Sequence, residues 1–284
     1  MAYLGNISED CVSKILSLTS PQDACRFLAV SKEFRNPAES NVVWNKFLPS
    51  DCHHIVSSTT CVPPLMFSSK KELYFLLSDS ILVDAGNKAF ALEKSTGRKS
   101  YILSARELSI LHINDVGSNW TSKSIQESRF SEVAELKAAE RIEIKGKIRS
   151  ETLSPHTKYG AYLVFKIGDH AYGLDSIPCE TFIASGERVL ATNTATLRDP
   201  NDKKGPLQGL FYGNRMQKMK ERVNKGDGGA ARKREDGWLE IEVGEFFVGG
   251  EESDDEEITM RVMEIKGYHL KGGLIVEGIE VRPN

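Results

Sequence analysis

The chain has 284 residues, which is enough for one large domain or two of ordinary size. Apolar residues make up 40% of it and charged residues 27%, as in ordinary globular proteins. The formal net charge of −3 gives no overall attraction to nucleic acid, and the first residues lack the pattern of a secretory signal. No stretch approaches the ~20 uninterrupted apolar residues that a membrane span requires.

The five cysteines argue for a reducing compartment. Their number is odd and no two are spaced as CxxC, which does not suit a disulfide framework. Reduced thiols are typical of cytoplasmic and nuclear proteins, so we expect one or both of these locations. The histidines lack zinc-ligand spacing, and no hydrolase, metalloprotease or phosphate-loop motif occurs. The sequence therefore predicts a non-catalytic protein without a metal or other cofactor.

The first 50 residues predict four short helices. Ser8 and Ser20 are N-cap residues, and Pro21 stands at the first position of the second helix. Further helices are expected after Ser31 and around Trp44. So small a unit buries little apolar surface alone, so its apolar side chains need a neighbouring domain or a partner protein. The apolar stripe of the first helix consists of Cys11, Val12, Ile15 and Leu16.

Residues 51–70 are rich in Ser, Thr, Pro and His and predict a linker, followed by a short helix over 70–78. From about residue 80 the pattern changes to short alternating strands, which predicts an antiparallel sandwich. A turn is expected at Gly168-Asp169. The side chains expected in or near the core are Trp238, Ile241 and Phe247, whereas Glu240 and Glu242 are expected on a solvated strand face.

Two segments stand out by charge. Ten basic residues lie between Lys203 and Arg234, and 251–257 is almost entirely acidic. Both suit solvated hairpin loops, and the glycines of the basic segment predict a mobile loop that protease cleaves at Arg232–Arg234. A nuclear address or a nucleic-acid patch is the alternative for that basic triplet.

The N-terminal helices resemble the F-box of plant proteins. This resemblance implies that residues 1–50 dock on the Skp-type adaptor of an SCF ubiquitin ligase. Ile7-Ser8 replaces the Leu-Pro pair that usually begins the motif, which implies modestly weaker docking although Ser8 still caps the helix. The resemblance rests on 7–16, 20–25, 30–32 and 43–44. The implied adaptor-binding residues are Ile7, Cys11, Val12, Ile15, Leu16, Pro21 and Ala24.

The later part of the chain resembles the phloem-protein-2 (Nictaba-like) lectin domain, in segments 103–110, 127–136, 234–247 and 273–283. The resemblance implies a jelly-roll-like β-sandwich that selects substrates, in some members by binding N-glycans or N-acetylglucosamine oligomers. The expected architecture is α+β and multidomain. It comprises an F-box motif at 1–50, a linker with a short helix at 51–85 and the sandwich at 86–284.

The family's sugar-binding loop carries tryptophans, whose faces stack on sugar rings. In this chain the loop keeps Trp120 alone. The candidate carbohydrate-binding residues are His112, Asn114, Asp115 and Trp120. Because Trp120 can equally be a buried residue of the sandwich, glycan binding is expected to be weak or absent.

Two functions stay open. In the first, the chain is the substrate-recognition adaptor of an SCF ubiquitin ligase, with a Skp-type adaptor and an unknown protein or glycoprotein target as partners. In the second, it is a carbohydrate-binding lectin whose F-box is secondary. The helical stripes favour the adaptor, and the missing loop tryptophans argue against a strong lectin. Neither a membrane nor a nucleic acid is expected as a partner.

Overall fold

The computed structural model describes residues 7–60, 65–110, 119–174, 177–200, 229–250, 256–264 and 269–284. The chain divides into two units, Met1–Tyr101 with Pro283, and Ile102–Arg282 with Asn284. Helices come first and a large β-domain follows, as the sequence predicts. Among the described helices, none is long and apolar enough to cross a bilayer.

The described part of the first unit contains six α-helices, of which the first two begin where the serine caps predict. The Ser8 hydroxyl accepts from the Cys11 N–H at 3.3 Å, and the Ser20 hydroxyl accepts from the Asp23 N–H at 3.1 Å. The predicted starts of the first two helices are therefore confirmed. The helices are α1 Glu9–Leu16, α2 Pro21–Phe27, α3 Lys32–Glu39, α4 Asn41–Phe47, α5 Cys52–Ser57 and α6 Lys70–Ser78.

Trp44 lies in a buried aromatic cluster of the first unit. Its side chain is fully buried, and its indole N–H donates to the Ala38 carbonyl at 2.7 Å. The Trp44 ring lies 5.2 Å from that of Tyr74 on α6, between centroids. The Tyr74 hydroxyl donates to the Glu93 carbonyl at 3.0 Å, just after strand β2 (Lys88–Leu92), which pairs antiparallel with β1 (Ile81–Val83). One aromatic cluster therefore joins α3, α4, α6 and the first strands.

Residues 51–60 belong to this unit instead of forming an open linker. Helix α5 buries Cys52 and Ile55, and its polar residues His53 and His54 face solvent. Polar composition alone does not distinguish a short surface helix from a tether, which explains the difference from the prediction. The unit ends near residue 101, later than the expected boundary at 85.

The second unit contains two sheets. Most of the pairs are antiparallel, including β8–β13, β7–β14, β9–β14 and β9–β10, whereas β10 and β11 run parallel. The first sheet has the order β3 (Lys99–Ser104), β15 (Gly272–Pro283), β8 (Thr157–Tyr172), β13 (Leu239–Val248) and β12 (Arg232–Lys233), with β6 (Val133–Leu136) on β15 and β5 (Trp120–Lys123) on β6. The second has the order β11 (Gly229–Ala230), β10 (Arg188–Thr196), β9 (Cys179–Ser185), β14 (Glu257–Glu264), β7 (Ile142–Arg149) and β4 (Ser109–Ile110).

A bulge in β13 decides which phenylalanine enters the core. The β13–β8 register shifts between Glu242 and Gly244, and this shift moves the buried positions from odd to even numbers. Phe246 is consequently buried, whereas Phe247 is 63% exposed. The prediction that Phe247 lies in the core is wrong, and those for Trp238 and Ile241 are confirmed.

The predicted turn at Gly168-Asp169 is also wrong, because β8 runs without a break from Thr157 to Tyr172. A Cβ added at Gly168 would lie 3.3 Å from the Gly273 carbonyl oxygen. Gly168 therefore marks a close approach of two strand backbones, a role that glycine also has inside strands.

The basic triplet and Glu240 form part of the sheet. Arg232 and Lys233 lie in β12, paired with β13, and the Arg234 side chain is only 14% exposed. Its guanidinium donates to Glu240 at 2.8 Å and also to Glu280. The triplet is therefore part of the sheet and not of an open loop, and Glu240 is paired and not solvated, which corrects both predictions. Residues 201–228 and 251–255, which hold most of the two charged segments, lie outside the described residues.

Candidate functional site

Helix α1 packs its small residues against α3. Ser13, Leu16 and Ser17 are buried on this side, and the Ser13 hydroxyl donates to the Pro37 carbonyl at 3.4 Å. Pro37 and Ala38 are the buried residues of α3. Small side chains at a helix contact let the two axes approach closely. The inner side of α1 is therefore covered by α3 within the unit.

The outer side of α1 is apolar and open to solvent. Cys11 is exposed, Ile15 is 56% exposed and Leu18 is 77% exposed. Their i, i+4, i+7 spacing places them on one face of the helix and the turn after it. We call Cys11, Ile15 and Leu18 the α1 row. Ile7, just before the capping serine, is also exposed.

The structure separates the seven residues that the resemblance assigned to adaptor binding. Ile7, Cys11 and Ile15 are exposed and Val12 is half-buried. The other three are buried within the helical unit. These three buried residues are Leu16, Pro21 and Ala24.

Leu18 and Val30 are among the exposed apolar side chains of this unit that the sequence did not predict. Leu18 follows α1, and Val30, which is 63% exposed, lies in the turn before α3. The spacing of Leu18 from Cys11 and Ile15 was a usable signal. Val30 lies between two helices, where no helical period applies, so its exposure had no such signal.

The first unit also carries exposed ion pairs of the ordinary kind. The Asp23 carboxylate accepts from the Ser20 hydroxyl at 2.8 Å and from Arg26 at 3.0 Å. These two hydrogen bonds, that from Ser20 first, hold the pKa of Asp23 below its ordinary value. Exposed pairs of this kind contribute little free energy. In the part of the chain that the structure describes, no group of three metal-ligating side chains occurs. The α1 row therefore presents two aliphatic side chains and the thiol of Cys11 to solvent.

Trp120 does not form a sugar platform. It begins β5, where it pairs with Leu136 of β6, and only 2% of it is exposed. A buried indole has no free face for a sugar ring. Trp120 is therefore a core residue, which corrects its candidate role in carbohydrate binding. His112, Asn114 and Asp115 lie outside the described residues.

Comparison with known proteins gives strong matches in sequence. The family model "Phloem protein 2" matches residues 98–283. F-box protein PP2-B13 of Arabidopsis thaliana is 46% identical over 281 residues, which cover 98% of each chain. F-box protein VBF of the same plant is 44% identical over 281 residues, again covering 98% of each chain.

Solved structures resemble the chain only weakly. A family 35 carbohydrate-binding module from Clostridium thermocellum is 10% identical, with a TM-score of 0.30, covering 64% of this chain and 96% of its own. A likeness of this size carries no argument about the ligand.

Proposed function

Since the chain belongs to the phloem protein 2 family of plant F-box proteins, we propose that it is the substrate adaptor of an SCF ubiquitin ligase. In this proposal the first unit docks the Skp-type adaptor and the second unit selects the target. The α1 row is the observation that carries the proposal. No catalytic family is indicated by the matches, so the chain's role is recognition.

The α1 row needs a partner from outside its own unit. The inner side of α1 is already occupied by α3, so Ile15 and Leu18 cannot turn inward without losing that packing. Burying a side chain of this kind contributes about 1.5–3 kcal/mol. A second apolar surface laid on the row therefore gains free energy that the isolated unit does not have.

A charge at the centre of the row tests this docking. The full chain is co-expressed with a Skp-type adaptor, and the amount that co-purifies is compared for native chain and Ile15→Asp. An unpaired carboxylate in the interface costs about 3 kcal/mol, roughly a hundredfold in affinity. Asn45→Asp is the matched control, because it adds the same charge at an exposed position of α4. Undiminished co-purification of Ile15→Asp contradicts the proposal, provided that both variants melt like the native chain.

Protein recognition is the better proposal for the second unit than the lectin alternative. The burial of Trp120 removes the one aromatic residue of the described part that was assigned to sugar stacking. The cysteines at 11, 25, 52 and 179 are free thiols, which supports a reducing location in the cytoplasm or nucleus, where SCF substrates would be met. Weak glycan binding by this unit would remain compatible with an adaptor.

A further inference from the structure

A groove of about 540 Å³ crosses the outer face of the six-stranded sheet. Basic side chains line it on β7 and β14, and apolar side chains line it on β9 and β10. These residues all belong to the second unit. The basic residues are Lys145, Lys147 and Arg261, and the apolar ones are Phe182, Ala184 and Val189.

Strand register places two cations side by side in this groove. Lys145 lies directly opposite Arg261 in the β7–β14 pair, and Arg261 lies opposite Phe182 in the β14–β9 pair. The Arg261 guanidinium stands 5.2 Å from the centroid of the Phe182 ring. Like charges directly opposite one another on antiparallel strands destabilise the sheet unless something neutralises them.

Two of the three acids that line the groove are held by other partners. Glu257 pairs with Lys147 at 2.5 Å, and Glu256 accepts a hydrogen bond from the Ser185 hydroxyl. Glu187, at the hairpin between β9 and β10, also lines the groove. Within the described ranges no carboxylate forms an ion pair with Lys145 or Arg261. The Arg261 Nε–H is buried and has no hydrogen-bond partner there either. The two cations therefore form a candidate subsite for an anion.

The apolar half of the groove limits what that anion can be attached to. Val189 is 59% exposed beside Ala184, and one face of Phe182 is occupied by Arg261. A sugar ring would need a free aromatic face, which suits this site poorly. An aliphatic side chain fits against Val189 and Ala184. Arg261 on β14 and Val189 on β10 are two strands apart, which is about 10 Å at a strand spacing of about 4.8 Å. Alternate side chains of an extended peptide lie on one face about 7 Å apart, so one peptide can contact both halves of the groove.

We propose that this groove binds an extended segment of a target protein in which acidic side chains stand beside apolar ones. The acidic side chain pairs with the charges of Lys145 and Arg261, and an apolar side chain two residues away, on the same face of the extended segment, covers Val189. The word "target" rests on the adaptor function proposed above, but the binding itself does not involve the adaptor-docking helices.

Fluorescence anisotropy with the full chain tests the site. The probe is a labelled peptide of about eight residues, Ser-Glu-Ser-Leu repeated, which places Glu and Leu two positions apart on one face of an extended chain. The matched peptide replaces Glu by Gln. We expect the Glu peptide to bind at least about tenfold more tightly than the Gln peptide, and this difference to vanish in the Lys145→Ala/Arg261→Ala variant. Lys158→Ala/Lys233→Ala removes the same charge from exposed sites outside the groove and keeps the difference.

Several results would overturn the proposal. They are the absence of binding by the native chain, equal affinity for the two peptides, or binding that survives the loss of Lys145 and Arg261. Tighter binding of oligogalacturonate or of single-stranded DNA than of the Glu peptide would reassign the groove to another class of ligand. Val189→Ala should weaken the affinity for the Glu peptide by a few-fold, because the apolar half of the groove loses contact area. Simple charge attraction would leave this affinity unchanged. Co-purification of the Skp-type adaptor is measured on the same variants and stays unchanged, so failure of the groove and failure of the adaptor role are distinguishable.

Discussion

Arg129 and Glu277 form an ion pair across the second unit, with 2.6 Å between the Arg129 Nη1 and the Glu277 Oε2. The Glu277 side chain is fully buried on β15. Its other oxygen accepts from the Arg129 backbone N–H at 2.9 Å and from the Ser128 hydroxyl at 3.2 Å. One buried carboxylate therefore fixes the segment around 128–129 onto the sheet.

Removing the arginine should strongly destabilise the second unit. Arg129→Ala leaves the Glu277 carboxylate buried without its cation, and breaking a buried pair in this way costs about 3–5 kcal/mol. The free energy of unfolding is measured by urea titration.

A second arginine in the same region supplies the control. Arg106 pairs with Glu132 at 2.7 Å, but both side chains are well exposed, at 56% and 38%. Exposed pairs contribute about 0–1 kcal/mol, so Arg106→Ala should shift the urea midpoint only slightly. Equal effects of the two substitutions would show that burial of Glu277 does not set the strength of its pair.

The bulge in β13 predicts opposite outcomes for two adjacent phenylalanines. Phe246→Ala removes a buried ring that stacks on Tyr159, with 5.8 Å between centroids, and should cost about 3–5 kcal/mol. Phe247→Ala changes an exposed residue and should stay within about 0.5 kcal/mol. Thermal and urea unfolding compare the two variants. A larger loss for Phe247→Ala would mean that the register shift is misplaced.

Local signals predicted the helices well because their causes are local. A serine cap, a following proline and an apolar period act within a few residues, and they located the starts of α1 and α2. The alternation in β13 was equally readable up to Glu242. It failed after that point because the bulge depends on the close packing of Gly244 against Ile183 in the other sheet.

Long-range pairing explains the other differences. Glu240 looked solvated because its partners Arg234 and Arg282 meet it only through strand pairing and the return of the chain in β15. The apolar stripe predicted for α1 included Leu16, which is buried, because only the packing of α1 on α3 decides which side of the helix is free. No periodicity within one segment carries that information. For the same reason, the groove at Lys145 and Arg261 was not anticipated.

The burial of Trp120 changes the expected result of its substitution. Trp120→Ala should destabilise the second unit by about 3–5 kcal/mol, as the loss of a large core ring does. It should not act as a selective loss of glycan affinity. Unfolding is followed by urea titration, and N-acetylglucosamine oligomers are titrated into the native chain by calorimetry. A stable Trp120→Ala variant that loses sugar binding alone would restore the platform role.

The ionic cluster of Arg234, Glu240, Glu280 and Arg282 predicts how stability depends on pH. Arg282 donates to Glu240 at 2.7 and 2.8 Å, and Arg234 donates to it at 2.8 Å. Burial by itself raises the pKa of Glu240. The hydrogen bond and charge of Arg282, and then those of Arg234, outweigh it, so the pKa of Glu240 lies below its ordinary 4.5. Burial also raises the pKa of Asp236, but the hydrogen bond from the Trp238 backbone N–H, and then those and the charges of Arg129 and Arg234, hold it below its ordinary value.

A carboxyl whose pKa is lower in the folded chain stabilises the fold above the unfolded value and loses that contribution as the pH falls through the folded pKa. The native chain should therefore lose stability in acid below about pH 4.5. Glu240→Gln removes the carboxylate from two arginines, which costs on the order of 3 kcal/mol at pH 7. Its deficit relative to the native chain should shrink as the pH falls below that point. Glu242→Gln, on the same strand, leaves all four cluster members in place and should keep the native profile. Urea midpoints measured from pH 7 to pH 3 decide the matter, and a deficit for Glu240→Gln that stays constant over this range would contradict the linkage.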